Sequence, residues 1–130
     1  MDMIMKRALF IIAAAVYLMS AAVAQTGEPK LVLPRTEFDF GRIDPKGGTV
    51  SHAFTVRNEG TAPLVILKTY TSCSCTEAKY PRKPIMPGDS AVIKVSYDPK
   101  TQMGTVFRAI QVYSNDPAKR TIVTIKGEVK

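Results

Sequence analysis

Two cysteines separated by one serine, Cys73-Ser74-Cys75, are the residues of this 130-residue chain whose type and spacing best suit chemistry. A disulfide is favoured in an oxidising compartment. However, residues i and i+2 of an extended strand lie about 6.6 Å apart, whereas the Cβ atoms of a disulfide lie about 3.5–4.5 Å apart. A bridge here requires a local turn, and its strain favours a redox-active bond over a structural one.

A metal site and a pair of buried thiols are the two alternatives to a disulfide. Two thiolates suit a soft ion such as Cu(I) or Zn²⁺, although two ligands are too few for a closed zinc site. His52 is a candidate third ligand, but it shares the strand parity of Phe54 and Val56, which favours packing at the rim of the fold. Free cysteines also pack as small apolar residues. We expect no cofactor, with copper or zinc as the alternative.

The remaining residues indicate neither catalysis nor nucleic-acid binding. With one histidine, no tryptophan and dispersed carboxylates, the chain shows no Ser–His–Asp set and no glycine-rich phosphate loop. We therefore expect a protein that is not an enzyme. The net charge of +7 is spread out: the longest basic runs are Arg82-Lys83 and Lys119-Arg120, without interleaved aromatic residues. This pattern argues against nucleic acid and favours an ordinary solvated surface, with attraction to anionic envelope polymers or membrane surfaces as the alternative.

The first 24 residues have the three-part pattern of a secretory signal peptide. The basic pair Lys6-Arg7 precedes an apolar run, and Ala22-x-Ala24 provides the small residues of a cleavage site between Ala24 and Gln25. The apolar stretch Ala8–Ala24 is shorter than the roughly 20 residues of a membrane span. We expect residues 1–24 to be removed, no stable membrane span after cleavage, and a location in the periplasm or cell envelope, or secretion.

After Gln25 the chain alternates between apolar runs and turns rich in proline and glycine, which predicts an all-β sandwich. Residues 25–35 form an N-terminal extension or first edge strand, and residues 36–130 form the domain. The predicted strands are Leu31–Leu33, Glu37–Phe40, Thr49–Asn58, Leu64–Tyr70, Ala91–Asp98, Thr105–Ser114 and Thr121–Val129.

Three local features add to this prediction. The continuous apolar run Leu64–Leu67 indicates a strand that is central or covered on both faces. Thr76–Pro84 has no clear period, which favours a surface connection. Asn115-Asp116-Pro117 predicts a turn in which the asparagine side chain bonds the backbone two residues on, and Asn58 is expected to close the third strand in the same way.

Several fragments in order carry a family resemblance. They are Phe38-Asp39-Phe40-Gly41-x-Ile43, Phe54-x-Val56-x-Asn58-x-Gly60-x-x-Pro63-Leu64-x-Ile66, Ser72-Cys73-Ser74-Cys75-Thr76, Ile85-x-Pro87-Gly88-Asp89, Ile93-x-Val95-x-Tyr97-Asp98-Pro99, Ile110-x-Val112-x-Ser114-Asn115-Asp116-Pro117 and Ile125-x-Gly127. Together they resemble the immunoglobulin-like domains of hydin and of the ASPM–SPD-2–hydin (ASH) group, and more closely the small exported bacterial proteins with one such domain, a family of unknown function. The resemblance implies a seven-stranded immunoglobulin-like Greek-key β-sandwich. It implies no activity, although relatives of this fold bind other proteins.

These observations lead to two hypotheses about function. The first is a non-enzymatic, exported binding or structural module of the cell envelope, which offers an edge strand or the Cys73–Pro87 face to a protein or an anionic envelope polymer. The alternative is a soft-metal (copper) carrier or a thiol redox protein that uses Cys73 and Cys75.

Overall fold

The structure, a computed structural model, describes residues 27–130. The expected signal peptide and its cleavage position between Ala24 and Gln25 lie outside the described residues. Within them, every regular element is a β-strand. The strands are β1 (Leu31–Val32), β2 (Glu37–Ile43), β3 (Val50–Asn58), β4 (Ile66–Thr71), β5 (Thr76–Lys79), β6 (Ser90–Tyr97), β7 (Gly104–Ser114) and β8 (Arg120–Val129).

These strands form two four-stranded sheets that pack face to face as an immunoglobulin-like sandwich, which confirms the predicted fold class. The first sheet has the order β1-β3-β6-β5, and the second has the order β2-β8-β7-β4. All neighbouring strands are antiparallel except β2 and β8, which are parallel. Because side chains alternate along a strand, each sheet presents one face to the core and one face to solvent.

The strand count is eight rather than the predicted seven. The additional strand β5 lies at the start of Thr76–Pro84, which the sequence pattern favours as a surface connection. Its four residues pair with β6 from Thr76 opposite Tyr97 to Lys79 opposite Lys94. A stretch this short shows no period of its own, so the pairing with β6, and not the local sequence, makes it a strand.

The predicted central position of Leu64–Leu67 is wrong. Leu64 is buried and forms an isolated bridge with Ile85, but the strand that follows, β4, lies at an edge of the second sheet. The pairing register shifts between Ile66 and Lys68, and Leu67 is 59% exposed. A bulge reverses the inward and outward alternation, which explains how a continuous apolar run ends at an exposed edge.

The core is the set of inward-facing apolar residues between the sheets. On β3, Phe54 and Val56 are buried, and on the neighbouring β6, Ile93 and Val95 are buried. The second sheet contributes the same kind of residue; its buried members on β7 and β8 are Val106, Ile110, Val112, Val123, Ile125 and Val129. Burial of each large apolar side chain contributes about 1.5–3 kcal/mol, so this core holds the two sheets together.

One end of the sandwich, which we call the asparagine end, is organised by Asn58 at the end of β3. Its fully buried side chain donates to the carbonyl oxygens of Ala62 and Ile85, each at 2.8 Å. Its Oδ1 accepts from the backbone N–H of Gly60 at 3.0 Å and of Lys30 at 3.2 Å. One amide group therefore joins four backbone positions, and its bond to Gly60 is the predicted contact two residues on.

The turn after β7 completes this end in a different way from the prediction. Asp116, not Asn115, bonds the backbone two residues on, because its Oδ1 accepts from the Ala118 N–H at 2.6 Å. Asn115 instead accepts from the Val65 N–H at 2.8 Å. The second oxygen of Asp116 accepts from the Leu31 N–H at 2.7 Å, which ties β1 to the opposite sheet.

Candidate functional site

The two cysteines lie in the turn that carries the chain from β4 in the second sheet to β5 in the first. They are joined in a disulfide, with a Cα–Cα distance of 5.2 Å. The turn is closed by a hydrogen bond from the Thr76 N–H to the Cys73 carbonyl oxygen at 3.2 Å. The hydroxyl of Thr71, the last residue of β4, donates to the same carbonyl oxygen at 3.2 Å. The backbone around the bridge is thus held by contacts from both flanking strands.

The two sulfur atoms have different surroundings. Cys75 packs against the core, and its Sγ lies 3.6 Å from the Thr76 hydroxyl. Cys73 lines an open depression of about 380 Å³ on the outer surface of the second sheet. The Cys75 N–H donates to the Cys73 Sγ at 3.2 Å. Both cysteines are half-buried, but Cys73 borders the depression, whereas Cys75 packs against the core.

The depression beside Cys73 is lined by residues of β4 and β7. Its lining residues are Tyr70, Ser72, Cys73, Phe107, Arg108, Ala109 and Gln111. The Arg108 guanidinium donates to the Phe107 carbonyl oxygen at 3.0 Å and to the Gln102 Oε1 at 3.4 Å. The strand parity of Arg108 turns its side chain towards the core, where the residue is half-buried. The depression therefore places the aromatic residues Tyr70 and Phe107 near Cys73.

Tyr97, at the same end of the sandwich, is fully buried beside the core. It is the strand partner of Thr76, the residue directly after Cys75. Among residues 27–130 no group hydrogen-bonds its hydroxyl. Burial raises the pKa of Tyr97, the positive Arg108 opposes this shift, and Asp98 adds to it. We call this end, with the bridge, Tyr97 and Arg108, the disulfide end.

His52 occupies an aromatic cluster rather than a site with the cysteines. Its ring stacks on Phe38 at a centroid distance of 3.7 Å and meets the edge of Phe54 at 4.8 Å. Burial lowers the pKa of His52, and the positive charge of Arg35 lowers it further. Among the described residues, no three His, Cys, Asp or Glu side chains are placed to share a metal ion. The structure thus does not gather His52 with Cys73 and Cys75 into a ligand set.

The outer face of the second sheet carries exposed aromatic and apolar side chains that sequence reasoning missed. Tyr70, Phe107 and Ile122 are 57%, 58% and 44% exposed. The strand register places Tyr70 and Ile122 on either side of Gln111, and so on one face with Phe107 and Tyr113. The alternation in β7 already separates Phe107 and Tyr113 from the buried Val106 and Val112. The alternation does not show which residues of β4 and β8 lie beside those of β7. Only the pairing of these strands shows it.

Basic side chains lie among these rings. Lys68 Nζ is 4.8 Å from the centroid of the Tyr113 ring, and Lys126 Nζ is 5.7 Å from that of Phe107. Lys126 also pairs with Glu37 at 2.9 Å. A second depression on this face, of about 600 Å³, shares Phe107 with the depression beside Cys73. We call this surface, with Lys68, Tyr70, Phe107, Tyr113, Ile122 and Lys126, the aromatic face.

The comparisons with known proteins start from the chain's own family. Residues 31–129 match the family described as protein of unknown function (DUF1573). The chain belongs to this family. The match covers both sheets, the bridge and the aromatic face. No curated protein matches the chain.

Three solved structures illustrate the fold similarity. A protein of unknown function from Porphyromonas gingivalis W83 is 29% identical with a TM-score of 0.68; the alignment covers 81% of this chain and 48% of that protein, so this chain spans about half its length. The ASH/PapD-like domain 7 of human CEP192 is 12% identical with a TM-score of 0.60, covering 79% of this chain and 87% of that one. The E. coli chaperone DraB is 13% identical with a TM-score of 0.55, covering 78% and 55%.

These similarities confirm the expected relationship to ASH-type immunoglobulin-like domains. The likeness to CEP192 and DraB concerns the fold, because both are far below the identity at which function transfers. No helix among residues 27–130 is long and apolar enough to cross a membrane.

Proposed function

We propose that the protein is a non-enzymatic, exported module of the cell envelope that binds another protein on its aromatic face. The observation that carries this proposal is the exposure of Tyr70, Phe107 and Ile122 on the same face of the second sheet. Exposed aromatic residues with flanking cations are the side chains that contribute most to protein–protein binding when they are desolvated. The chaperone and the ASH/PapD-like domain among the similar folds support a binding role.

The outer face of the first sheet offers no comparable surface. Its outward residues on β3 and β6 are Ser51, Ala53, Thr55, Arg57, Ser90, Val92, Lys94 and Ser96, and of these only Val92 is a large apolar side chain. Small and polar side chains gain little from desolvation. The outer faces of the two sheets therefore differ in chemistry, and the face of the second sheet is the better candidate for binding a partner.

Binding through the aromatic face fits the structure better than strand addition at an edge. β1 has two residues and β5 has four, with Glu77 and Lys79 exposed on the latter. The pairing of both β2 and β4 is interrupted by register shifts. Short, charged or bulged edges disfavour the pairing of an added strand. A partner lying across β7 and its neighbours avoids these obstacles.

The positive side chains on the aromatic face indicate the partner's chemistry. Lys68, Arg120 and Lys126 project on this side, and Glu37 compensates Lys126. An extended or loop segment with acidic and apolar residues would complement both the charge and the rings. An anionic envelope polymer would complement the charge alone, so it would need the lysines but not Phe107 or Tyr70.

A matched pair of alanines tests the proposal. Ala109 is exposed on the aromatic face, and Ala53 is exposed on the outer face of the first sheet. We would replace each in turn by a photo-crosslinking amino acid and irradiate intact cells. The expected result is a discrete protein adduct from position 109, lost when Phe107→Ser and Tyr70→Ser are added and retained with Val92→Ser. Equal adducts from both positions, or adducts insensitive to Phe107, would contradict the proposal.

Export is tested by the N-terminus of the protein recovered from the envelope fraction. Cleavage after Ala24 predicts a chain that begins at Gln25, which intact mass measurement detects. Recovery of the whole 130-residue chain from the cytoplasm would contradict the exported location.

A further inference from the structure

The Cys73–Cys75 bridge joins residues two positions apart, so it links no remote parts of the fold. The stabilisation that a disulfide provides by restricting the unfolded chain grows with the loop it closes, and this loop is among the shortest possible. The two sheets on either side are already held together by the core, and strand pairing holds each sheet together. Fold stability is thus a weak reason for this bond, which leaves its chemistry as the better explanation.

The surroundings of the two cysteines favour Cys73 as the sulfur that is attacked in an exchange reaction and Cys75 as the sulfur that leaves. Cys73 is the sulfur that lines the open depression, so an incoming thiolate reaches it first. The Cys75 N–H lies 3.2 Å from the Cys73 Sγ, so it stabilises negative charge on that sulfur. The Thr76 hydroxyl, 3.6 Å from the Cys75 Sγ, can donate to the thiolate that forms there.

We propose that the Cys73–Cys75 bridge is a thiol–disulfide exchange site that accepts cysteines of a protein segment bound in the depression beside Cys73. Tyr70 and Phe107, which line this depression, provide apolar contacts for the residues next to the reacting cysteine. The exchange site requires only this depression and is separate from the proposed partner binding across the whole aromatic face, although both surfaces contain Tyr70 and Phe107.

The reaction proceeds in two balanced exchanges. A substrate thiolate attacks the Cys73 Sγ; the bridge breaks, a mixed disulfide forms with Cys73, and the electron pair leaves on the Cys75 Sγ, which takes up a proton. A second substrate thiolate then attacks the substrate sulfur of the mixed disulfide and releases Cys73 as a thiolate. The substrate's two thiols are oxidised to a disulfide, and the bridge is reduced to a dithiol. A small-molecule disulfide such as glutathione disulfide restores the bridge for another cycle.

The first test compares the two single-cysteine variants. Cys75→Ser leaves Cys73 free, and Cys73→Ser leaves Cys75 free; each is reduced and mixed with glutathione disulfide, and the glutathione adduct is followed by mass spectrometry. We expect Cys73 to react on the order of tenfold faster than Cys75, because it is accessible and its thiolate is stabilised. Equal rates, or faster reaction of Cys75, would overturn the assignment of Cys73 as the reacting sulfur.

The second test uses the oxidised wild-type protein and therefore does not depend on the folding of a variant. It is mixed with a reduced peptide that carries two cysteines, one of them next to phenylalanine, and with a matched peptide that has serine in place of the phenylalanine. We expect equimolar formation of oxidised peptide and reduced protein, faster with the phenylalanine peptide. Phe107→Ser should remove this preference, whereas Val92→Ser, on the outer face of the first sheet, should leave both the preference and the reaction with glutathione unchanged.

One result would rule out the exchange site. If the wild-type bridge exchanges with the peptides or with glutathione only after denaturant unfolds the protein, the exchange site does not exist. This result would leave the partner-binding proposal intact, since the crosslinks from positions 109 and 53 do not involve the cysteines. Conversely, thiol exchange without crosslinks from position 109 would contradict only the binding proposal.

Discussion

The two ends of the sandwich are built on different principles. At the asparagine end, the side chains of Asn58 and Asp116 form six hydrogen bonds to backbone groups, three of them in distant segments of the chain. At the disulfide end, a covalent bond joins Cys73 to Cys75, its near neighbour in the chain, and the hydroxyl of Tyr97 is buried without a hydrogen-bond partner among the described residues. The polar side chains of the asparagine end hold segments of the fold together, whereas the Tyr97 hydroxyl at the disulfide end does not.

This difference shows where stability and chemistry reside in the molecule. A buried amide that satisfies four backbone positions cannot change without loss of fold stability. A bridge that spans one intervening residue, with one sulfur open to a depression, can break and re-form while both sheets remain in place. We therefore expect substitutions at the asparagine end to alter stability and substitutions at the disulfide end to alter reactivity.

The largest expected effect is at Asn58. Replacement Asn58→Ala removes four hydrogen bonds, three of them part-buried and one buried, which should lower the free energy of unfolding by about 3 kcal/mol. Urea unfolding measures this loss. The neighbouring Arg57→Ala, on the exposed side of the same strand, should change the free energy by less than about 0.5 kcal/mol. Similar losses in the two variants would show that the hydrogen bonds of Asn58 do not stabilise the asparagine end.

A smaller effect is expected when the bridge is removed. Because the bond closes a loop of only three residues, Cys73→Ser/Cys75→Ser should lower the free energy of unfolding by about 1.5 kcal/mol or less. Urea unfolding of the double variant, and of the wild type with and without reductant, measures the change. A loss as large as that of Asn58→Ala would show that the bridge stabilises the fold, and it would contradict the expected difference between the asparagine end and the disulfide end.

The next effect depends on pH and concerns His52. Its folded-state pKa is lowered by burial and by Arg35, so between that value and the ordinary 6.5 the unfolded chain binds the proton more readily. The stability that neutral His52 contributes is complete above pH 6.5 and is lost as pH falls through this window. The measurement is the difference in unfolding free energy between wild type and His52→Gln. We expect this difference to shrink between neutral pH and about pH 5, and a constant difference would contradict the prediction.

The smallest effect is expected at Tyr97. The variant Tyr97→Phe removes a buried hydroxyl that makes no hydrogen bond to the described residues, and the ring stays in place. Its free energy of unfolding should equal that of the wild type or exceed it by up to about 1 kcal/mol. Thermal unfolding, with Tyr113→Phe on the surface as a control, measures the difference. A clear destabilisation by Tyr97→Phe alone would show that the hydroxyl is satisfied, and the two ends would then be more alike.

The local sequence pattern predicts some of the strands and misses others. β3, β6, β7 and β8 follow from alternation, because each has one face in the core and is long enough to show a period. β5 does not follow from alternation, because its four residues, which include the charged Glu77 and Lys79, have the pattern of a surface loop. Their pairing with β6 makes them a strand. The apolar run at Leu67 misleads for the opposite reason, since a bulge places it at an exposed edge.

The candidate sites divide in a similar way. Residue type and spacing alone single out Cys73 and Cys75, since thiols are rare and reactive. The sequence contains no sign that Cys73 opens to a depression while Cys75 packs on the core, because Phe107 and Arg108 reach the bridge from more than 30 positions along the chain.

Composition and alternation are local properties, and they were sufficient to predict an all-β domain and to single out its two cysteines. The aromatic face, the asymmetry of the bridge and the hydrogen bonds of Asn58 depend on strand register and on contacts between distant segments. Register is set by the combined packing of both sheets, where a shift of one residue would turn every side chain to the opposite face. For this reason these features emerge when the strands are assembled and are not visible in any single stretch of the chain.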